Sequence, residues 1–358
     1  MRYREVAIED DKSIDDSGTE TIPINVRDPI TALIVRMKAQ NSAHVMNQPM
    51  ERQISKVEII DGGTTYWSLN GQMAVAAACY GLKRWPHHWI DERSGSNQRA
   101  NFPILFGRYL GDPEFAFDPT RLNNPALRVT WTDQASYTDG SLTLGVTARV
   151  MEDVPAPEQV LMWREIDAWT SVSGSPHTVD LPVDFPYRHV MMRPWKVDTL
   201  PTTIWSNFKL DCDVGKFIPF DLASHEFRDI LKMYDGPFHN RQFVYGYQAT
   251  MRQAWMGETL LGTGSAMSAQ YYMTAWTAFW PWIDVNIVHN DGTPAGTTPG
   301  ELMVTGLFPH TCYKYNFGLE QVPGTWFDPT IYKDVRLQLT EGASDAACAV
   351  AVQQPRSL

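Results

Sequence analysis

The chain has 358 residues and a mass of 40.6 kDa, room for two domains of ordinary size. Its formal charge of −11 argues against direct nucleic-acid binding, since a polyanion would meet like charge instead of giving up counterions to a basic face. Hydrophobic residues make up 43% and there are 24 Gly and 24 Pro, a balance that favours many short strands broken by turns and predicts an all-β protein.

Residues 1–26, opening MRYREVAIEDDKSIDDSGTE, mix charges of both signs and lack the apolar core of a signal peptide. They read as an N-terminal arm. No stretch approaches the ~18 apolar residues of a membrane span, so a soluble chain made in the cytoplasm is expected. A first β module is expected over 27–153. Within it, ISKVEIIDGGTTYWSLNGQMAVAAACYG reads as strand, Asp-Gly-Gly turn, strand and helix. Met73, Ala76, Ala77 and Tyr80 fall at i, i+3, i+4 and i+7 on one helix face, with Asn70 as N-cap and Gly81 near the end. Further on, Phe117-Asp118-Pro119-Thr120 leads into Leu127, Val129 and Trp131, alternating with polar residues as a half-buried strand does. Thr132-Asp133-Gln134-Ala135-Ser136 ends it, and Leu142, Leu144, Val146 and Val150 mark the next strand.

Residues 154–189 are proline-rich and read as a linker. Pro155 and Pro157 would open a short helix whose Val160, Trp163, Ile166 and Trp169 dock on a domain. The second module, 190–358, repeats the plan of the first. IWSNFKLDCDVGKFIPFDLASHEFRDILKMYDG again runs strand, turn, strand, helix; Phe227, Ile230, Leu231 and Tyr234 form the apolar face, with Ser224 as N-cap and Gly236 near the end. Phe327-Asp328-Pro329-Thr330 again precedes an alternating strand, Val335, Leu337 and Leu339, and again an ending, Thr340-Glu341-Gly342-Ala343-Ser344, before Cys348, Val350 and Val352. From helix to FDPT the second copy is longer by about 56 residues, so an insertion of elongated loops is expected within 236–326. The fold class expected is all-β: two tandem jelly-roll β-sandwich modules, each with a short amphipathic helix.

Candidates for chemistry are few. His87 and His88, followed by Asp91 and Glu92, are the densest titratable cluster, yet adjacent side chains diverge and the stretch reads as a loop with a structural role. Ser224-His225-Glu226 reads as a helix start, not a nucleophile. Gly262-Thr263-Gly264-Ser265 lacks the lysine of a phosphate loop and the glycine pattern of a nucleophile elbow. Cys79, Cys212, Cys312 and Cys348 are scattered without CxxC spacing and read as reduced, buried thiols. The chain holds no His-x-His pair of the kind jelly-roll metalloenzymes use. No catalytic, cofactor or metal residue is therefore assigned. Trp276, Phe279, Trp280 and Trp282, crowded in AWTAFWPWIDV, are the candidate subunit-interface residues.

The tandem module, the turn-strand-helix segments 61–81 and 213–236, the FDPT-strand endings and the unequal insertions together resemble the double jelly-roll major capsid proteins of tailless icosahedral viruses. These form the lineage that joins internal-membrane bacteriophages to adenovirus hexons. The resemblance covers roughly 27–353 and is architectural, since that family has no invariant ligand motif. It implies a non-enzymatic protein of the virion, a homotrimer forming a six-cornered tile, and neighbouring capsomers as partners. It also implies minor capsid or vertex proteins, and an internal membrane reached through the arm. The alternative from the residues is a tandem β-sandwich that binds or cleaves carbohydrate, in which the same tryptophans would stack on sugars.

Overall fold

The computed structural model describes residues 1–42, 50–89, 94–132, 137–196, 199–246, 252–255, 257–266, 271–279, 282–289 and 298–358, and across most of 241–302 it describes the backbone alone. The first module comprises β1 (Arg2–Ser13), β2 (Gly18–Pro23), β3 (Ile30–Gln40), β4 (Ile54–Asp61), β5 (Thr64–Leu69), helix α1 (Gly71–Leu82), β6 (Asn97–Leu105), β7 (Pro125–Trp131) and β8 (Thr143–Glu152). The second opens with β9 (Gln159–Thr170), β10 (Pro176–Asp180), β11 (His189–Trp195), the one-turn helix α2 (Pro201–Ile204), β12 (Trp205–Cys212), β13 (Phe217–Ala223) and helix α3 (Ser224–Tyr234). An insertion follows, with β14 (Phe238–Gly246), β15 (Arg252–Trp255), β16 (Glu258–Ala266), β17 (Tyr271–Phe279), β18 (Trp282–His289) and β19 (Thr298–Leu307). The module then closes with β20 (Tyr313–Asn316), β21 (Val335–Glu341) and β22 (Ala347–Ser357).

The duplication is visible in strand order. One sheet of the first module runs β1-β8-β3-β6 and the other β2-β7-β4-β5; in the second module β9-β22-β11-β20 and β10-β21-β12-β13 repeat both orders strand for strand. Each module is thus a jelly roll of two four-stranded sheets, and the chain is an all-β double jelly roll. The two modules meet edge to edge, where Ser68 of β5 pairs in parallel with Arg164 of β9 and merges two sheets into one of eight strands. The insertion forms two three-stranded sheets, β14-β19-β16 and β15-β18-β17.

This order corrects two expectations. Residues 1–26 are not a free arm: β1 pairs antiparallel with β8 from Arg2↔Glu152 to Ser13↔Thr143, and β2 pairs with β7. Its mostly exposed, polar sequence suits an edge strand, with Val6 and Ile8 packed against the core. Residues 154–189 are not a linker with a helix: Val160, Trp163, Ile166 and Trp169 lie on strand β9, the counterpart of β1. The apparent helical spacing lost to an eleven-residue antiparallel pairing with β22. A third difference is local. Asn70 caps α1, its Oδ1 accepting from Met73 N at 3.0 Å, but α3 is capped one residue before Ser224. Strand β13 runs straight into that helix through Ala223, whose N–H donates to Glu226 Oε2 at 3.2 Å.

The FDPT repeat has a geometric cause. In each copy Phe bridges to the strand entering the core, Ile30↔Phe117 and Tyr187↔Phe327. Asp then caps a one-turn 3-10 helix opened by Pro. Asp118 Oδ1 accepts from Thr120 N and Oγ1 at 3.0 and 2.7 Å, and Asp328 Oδ1 does the same for Thr330 at 3.0 and 2.6 Å. The tetrapeptide therefore builds the same capped turn ahead of β7 and of β21. The Thr340 ending has its own function: Glu341 is buried and accepts from Trp169 Nε1 at 2.6 Å and Val172 N at 2.7 Å. Its counterpart at 133–136 lies outside the described residues.

Candidate assembly surfaces and the contact between modules

The contact between modules is built on α1. Its residues Gly71 through Tyr80 are all buried, so the helix is enclosed on every side and not only on the face that the i, i+3, i+4 spacing marks. The second module supplies the cover. Tyr80 Oη donates to Cys312 O at 2.6 Å, its ring meets Phe238 edge-on at 5.4 Å, and Phe238, Val304 and Cys312 join the first module's core. Gly71 is required at the start of the helix, because a Cβ there would lie 2.2 Å from Glu51 O.

Two groups of buried charge lock this contact. In one, Glu51 of the first module lies with Oε1 3.1 Å from His310 Nε2 of the second and 4.0 Å from His88 Nδ1. Burial opposes ionisation of Glu51, yet the close approach of His310 and the charges of His88 and His310 hold its carboxyl down at about 2. Burial pulls the His88 imidazole below its usual value against the pull of Glu51, and its Nε2 lies 3.0 Å from Asn101 O. The segment carrying His310 is strained: Phe308, His310 and Thr311 have φ of 52°, 51° and 63°, left-handed values for residues with a Cβ. Thr311 Oγ1 pins it by donating to Pro194 O at 2.6 Å.

In the second group Lys314, 1% exposed, sits between Asp235 at 3.2 Å and Glu320, while Lys83 of the first module reaches Asp235 at 2.9 Å and Glu320 at 3.4 Å. Burial, followed by the charges of Lys314, Arg188 and Lys83, pushes His189 well below the usual imidazole range. A cavity of about 220 Å³ between the modules is lined by Lys83, Arg108, Arg188, His189, Lys314 and Glu320. Lys83 and Lys314 face Glu320, Arg108 pairs with Asp112, and Arg188 donates to Glu320 O. That matching suits a rigid joint and holds no nucleophile beside a base.

Among the candidates, His88 is part of this joint, His87 is exposed, and Asp91 and Glu92 lie outside the described residues. No group of three or more His, Cys, Asp or Glu is arranged to hold a metal among the described residues. The four cysteines are free and buried. Trp276 and Phe279 lie on β17, and Phe279 pairs in register with Trp282 at the start of β18; Trp280 lies outside the described residues. Glu51, His310, Lys314 and Arg188 were missed by sequence reasoning. The one available signal was charge set among aromatics, as in FPHTCYKY, where His310 and Lys314 stand in a stretch that must be buried.

No protein-family profile matches the sequence, and no curated protein matches it. Solved structures do match the fold. The major capsid protein P2 of bacteriophage PM2 is similar over 99% of this chain and 98% of its own, with a TM-score of 0.57 at 12% identity. The Sulfolobus turreted icosahedral virus structure aligns over 99% and 90% with a TM-score of 0.59 at 10% identity, and the PBCV-1 capsid structure over 99% and 94% with 0.58 at 11%. At such identities the likeness establishes the double jelly-roll fold across the whole chain.

Proposed function

We propose that this chain is the major capsid protein of an icosahedral virus, a structural and non-enzymatic component of the virion that assembles with copies of itself into capsomers. The observation that carries the reading is the repeated strand order. Two jelly rolls fused edge to edge make a unit with two near-equivalent corners, so three copies would give a six-cornered tile. The full-length fold likeness to three major capsid structures supports it. The insertion β14–β19 gives the second module outward surface that the first lacks, and Trp276, Phe279, Trp280 and Trp282 within it are proposed as contacts to neighbours. Minor capsid or vertex proteins are expected to bind there or at tile edges. A membrane contact through 1–26 would require β1 to leave β8, because the pairing runs from Arg2 to Ser13. The acidic balance favours a shell that does not touch nucleic acid directly. The tandem carbohydrate-binding reading has no observation in its favour.

The test is the native mass of the purified chain by light scattering coupled to size exclusion. A particle of three times 40.6 kDa, or larger closed assemblies, supports the proposal. A mass of 40.6 kDa at every concentration would refute it.

A further inference from the structure

We propose that the outward face of α3 is a docking surface for a second copy of this chain, and that it seats in the groove beside Arg84 on that copy's first module. This rests on the self-assembly reading above and assigns the contact surface.

Helices α1 and α3 occupy the same place in their modules: each follows the second strand of a hairpin, β5 or β13. Their surroundings differ. Gly71 to Tyr80 are enclosed, whereas only Ser224, Phe227 and Leu231 of α3 are buried. Phe227 turns inward, stacked on Phe208 at 4.5 Å and against Phe220 at 5.1 Å. The opposite side carries Glu226, Asp229 and Met233 at i, i+3 and i+7, with Met233 83% and Tyr234 58% exposed. Arg228 and Lys232 are shared between Glu258, at 3.8 and 2.7 Å, and Asp229, at 3.5 and 3.9 Å, and Asp229 stays 64% exposed beside the large apolar groups Met233 and Tyr234.

The duplication identifies the occupant. Within the chain, the segment that covers α1 is Pro309–Cys312, directly before β20. Strand β20 pairs with β11 as β6 pairs with β3, so the first-module counterpart of that cover lies in the connection from α1 to β6, whose described part includes Trp85–Trp89. In the isolated chain this segment turns Trp85 and His88 inward, toward His310 and Glu51, and leaves Arg84 and His87 exposed. Beside it lies a groove of about 550 Å³ that includes Arg36, Arg84 and Arg149 above Leu82, Leu105 and Leu110, with no carboxylate among its described lining. Arg36 pairs with Asp11 at 2.9 Å and Arg149 with Glu5 at 3.5 Å, but Arg84 has no ion pair among the described residues. A basic groove with an apolar floor complements a helix face carrying Glu226, Asp229, Met233 and Tyr234, and a net charge of −11 makes such a basic site uncommon on this surface. The contact is head-to-tail, second module onto first, the type that closes into a ring when the rotation permits.

Sedimentation velocity of the full chain, with thermal melting as a folding control, tests this. Asp229→Arg and Arg84→Glu should each shift assembly to about tenfold higher concentration without changing the melt, because both sites are exposed. The double variant Asp229→Arg/Arg84→Glu should return to within about threefold of the original chain, because the pair is restored with its charges exchanged. If the original chain assembles and the single variants assemble at the same concentration, or the double variant is no better than the worse single, this contact is wrong while the self-assembly reading stands. A chain that stays monomeric at every concentration overturns both.

Discussion

Glu51→Gln tests whether the two jelly rolls behave as one unit. The carboxylate is buried, ionised well below neutral pH, and sits 3.1 Å from His310 across the module contact. Breaking a buried pair from one side costs about 3–5 kcal/mol, and Gln keeps the volume and one acceptor, so about 3 kcal/mol is expected. His310→Gln should cost about the same for the same reason. With both replaced, the second loss is largely already incurred, so the double variant should fall about 2 kcal/mol short of the sum. Urea unfolding at pH 7.5, followed by tryptophan fluorescence, reads all three. The single variants should also split one transition into two, because the pair joins residues of different modules. Single losses under about 0.5 kcal/mol, or strict additivity, would refute the reasoning that this pair locks the joint.

Acid should loosen the same contact early. His88 and His189 have lowered folded values, so the unfolded chain takes up protons near 6.5 that the folded chain refuses; their stabilisation is full above that pH and is lost as pH falls below it, at about 1.4 kcal/mol per pH unit for each histidine. Urea midpoints at pH 7.5, 6.0 and 5.0 should fall steadily, and a flat profile contradicts this. Phe227→Ala should cost about 3–5 kcal/mol, while Met233→Ala, at an exposed site, should change monomer stability by less than about 0.5 kcal/mol; chemical denaturation of both variants checks the contrast. Asp118→Ala should cost about 1–2 kcal/mol and Asp328→Ala about half that, because the first cap is buried and the second exposed; equal thermal shifts would sink that distinction.

The duplication was legible because its signals are local. FDPT fixes a cap and a bridge in both copies, the alternating runs after it are strands β7 and β21, and the turn-strand-helix segments lie where their spacing puts them. Residues 1–26 and 154–189 were misjudged because their partners are remote. An exposed edge strand such as β1 shows weak alternation, and Val160, Trp163, Ile166 and Trp169 fit a helical period until β22 pairs with them. The joint between modules was illegible for a related reason. Glu51, His88 and His310 stand in short segments far apart in sequence, and only the closed fold brings both histidines within 4.0 Å of Glu51. The enclosure of α1 likewise comes from second-module residues, Phe238 and Cys312, which no reading of the helix itself contains.

The central claim is that copies of this chain tile through two near-equivalent modules. Single-particle electron microscopy of the assembled chain tests it most directly. The account predicts three-fold rings of six barrels in which α3 of one copy is covered by the first module of the next. Particles with no three-fold symmetry, or rings not built of six barrels, would contradict it.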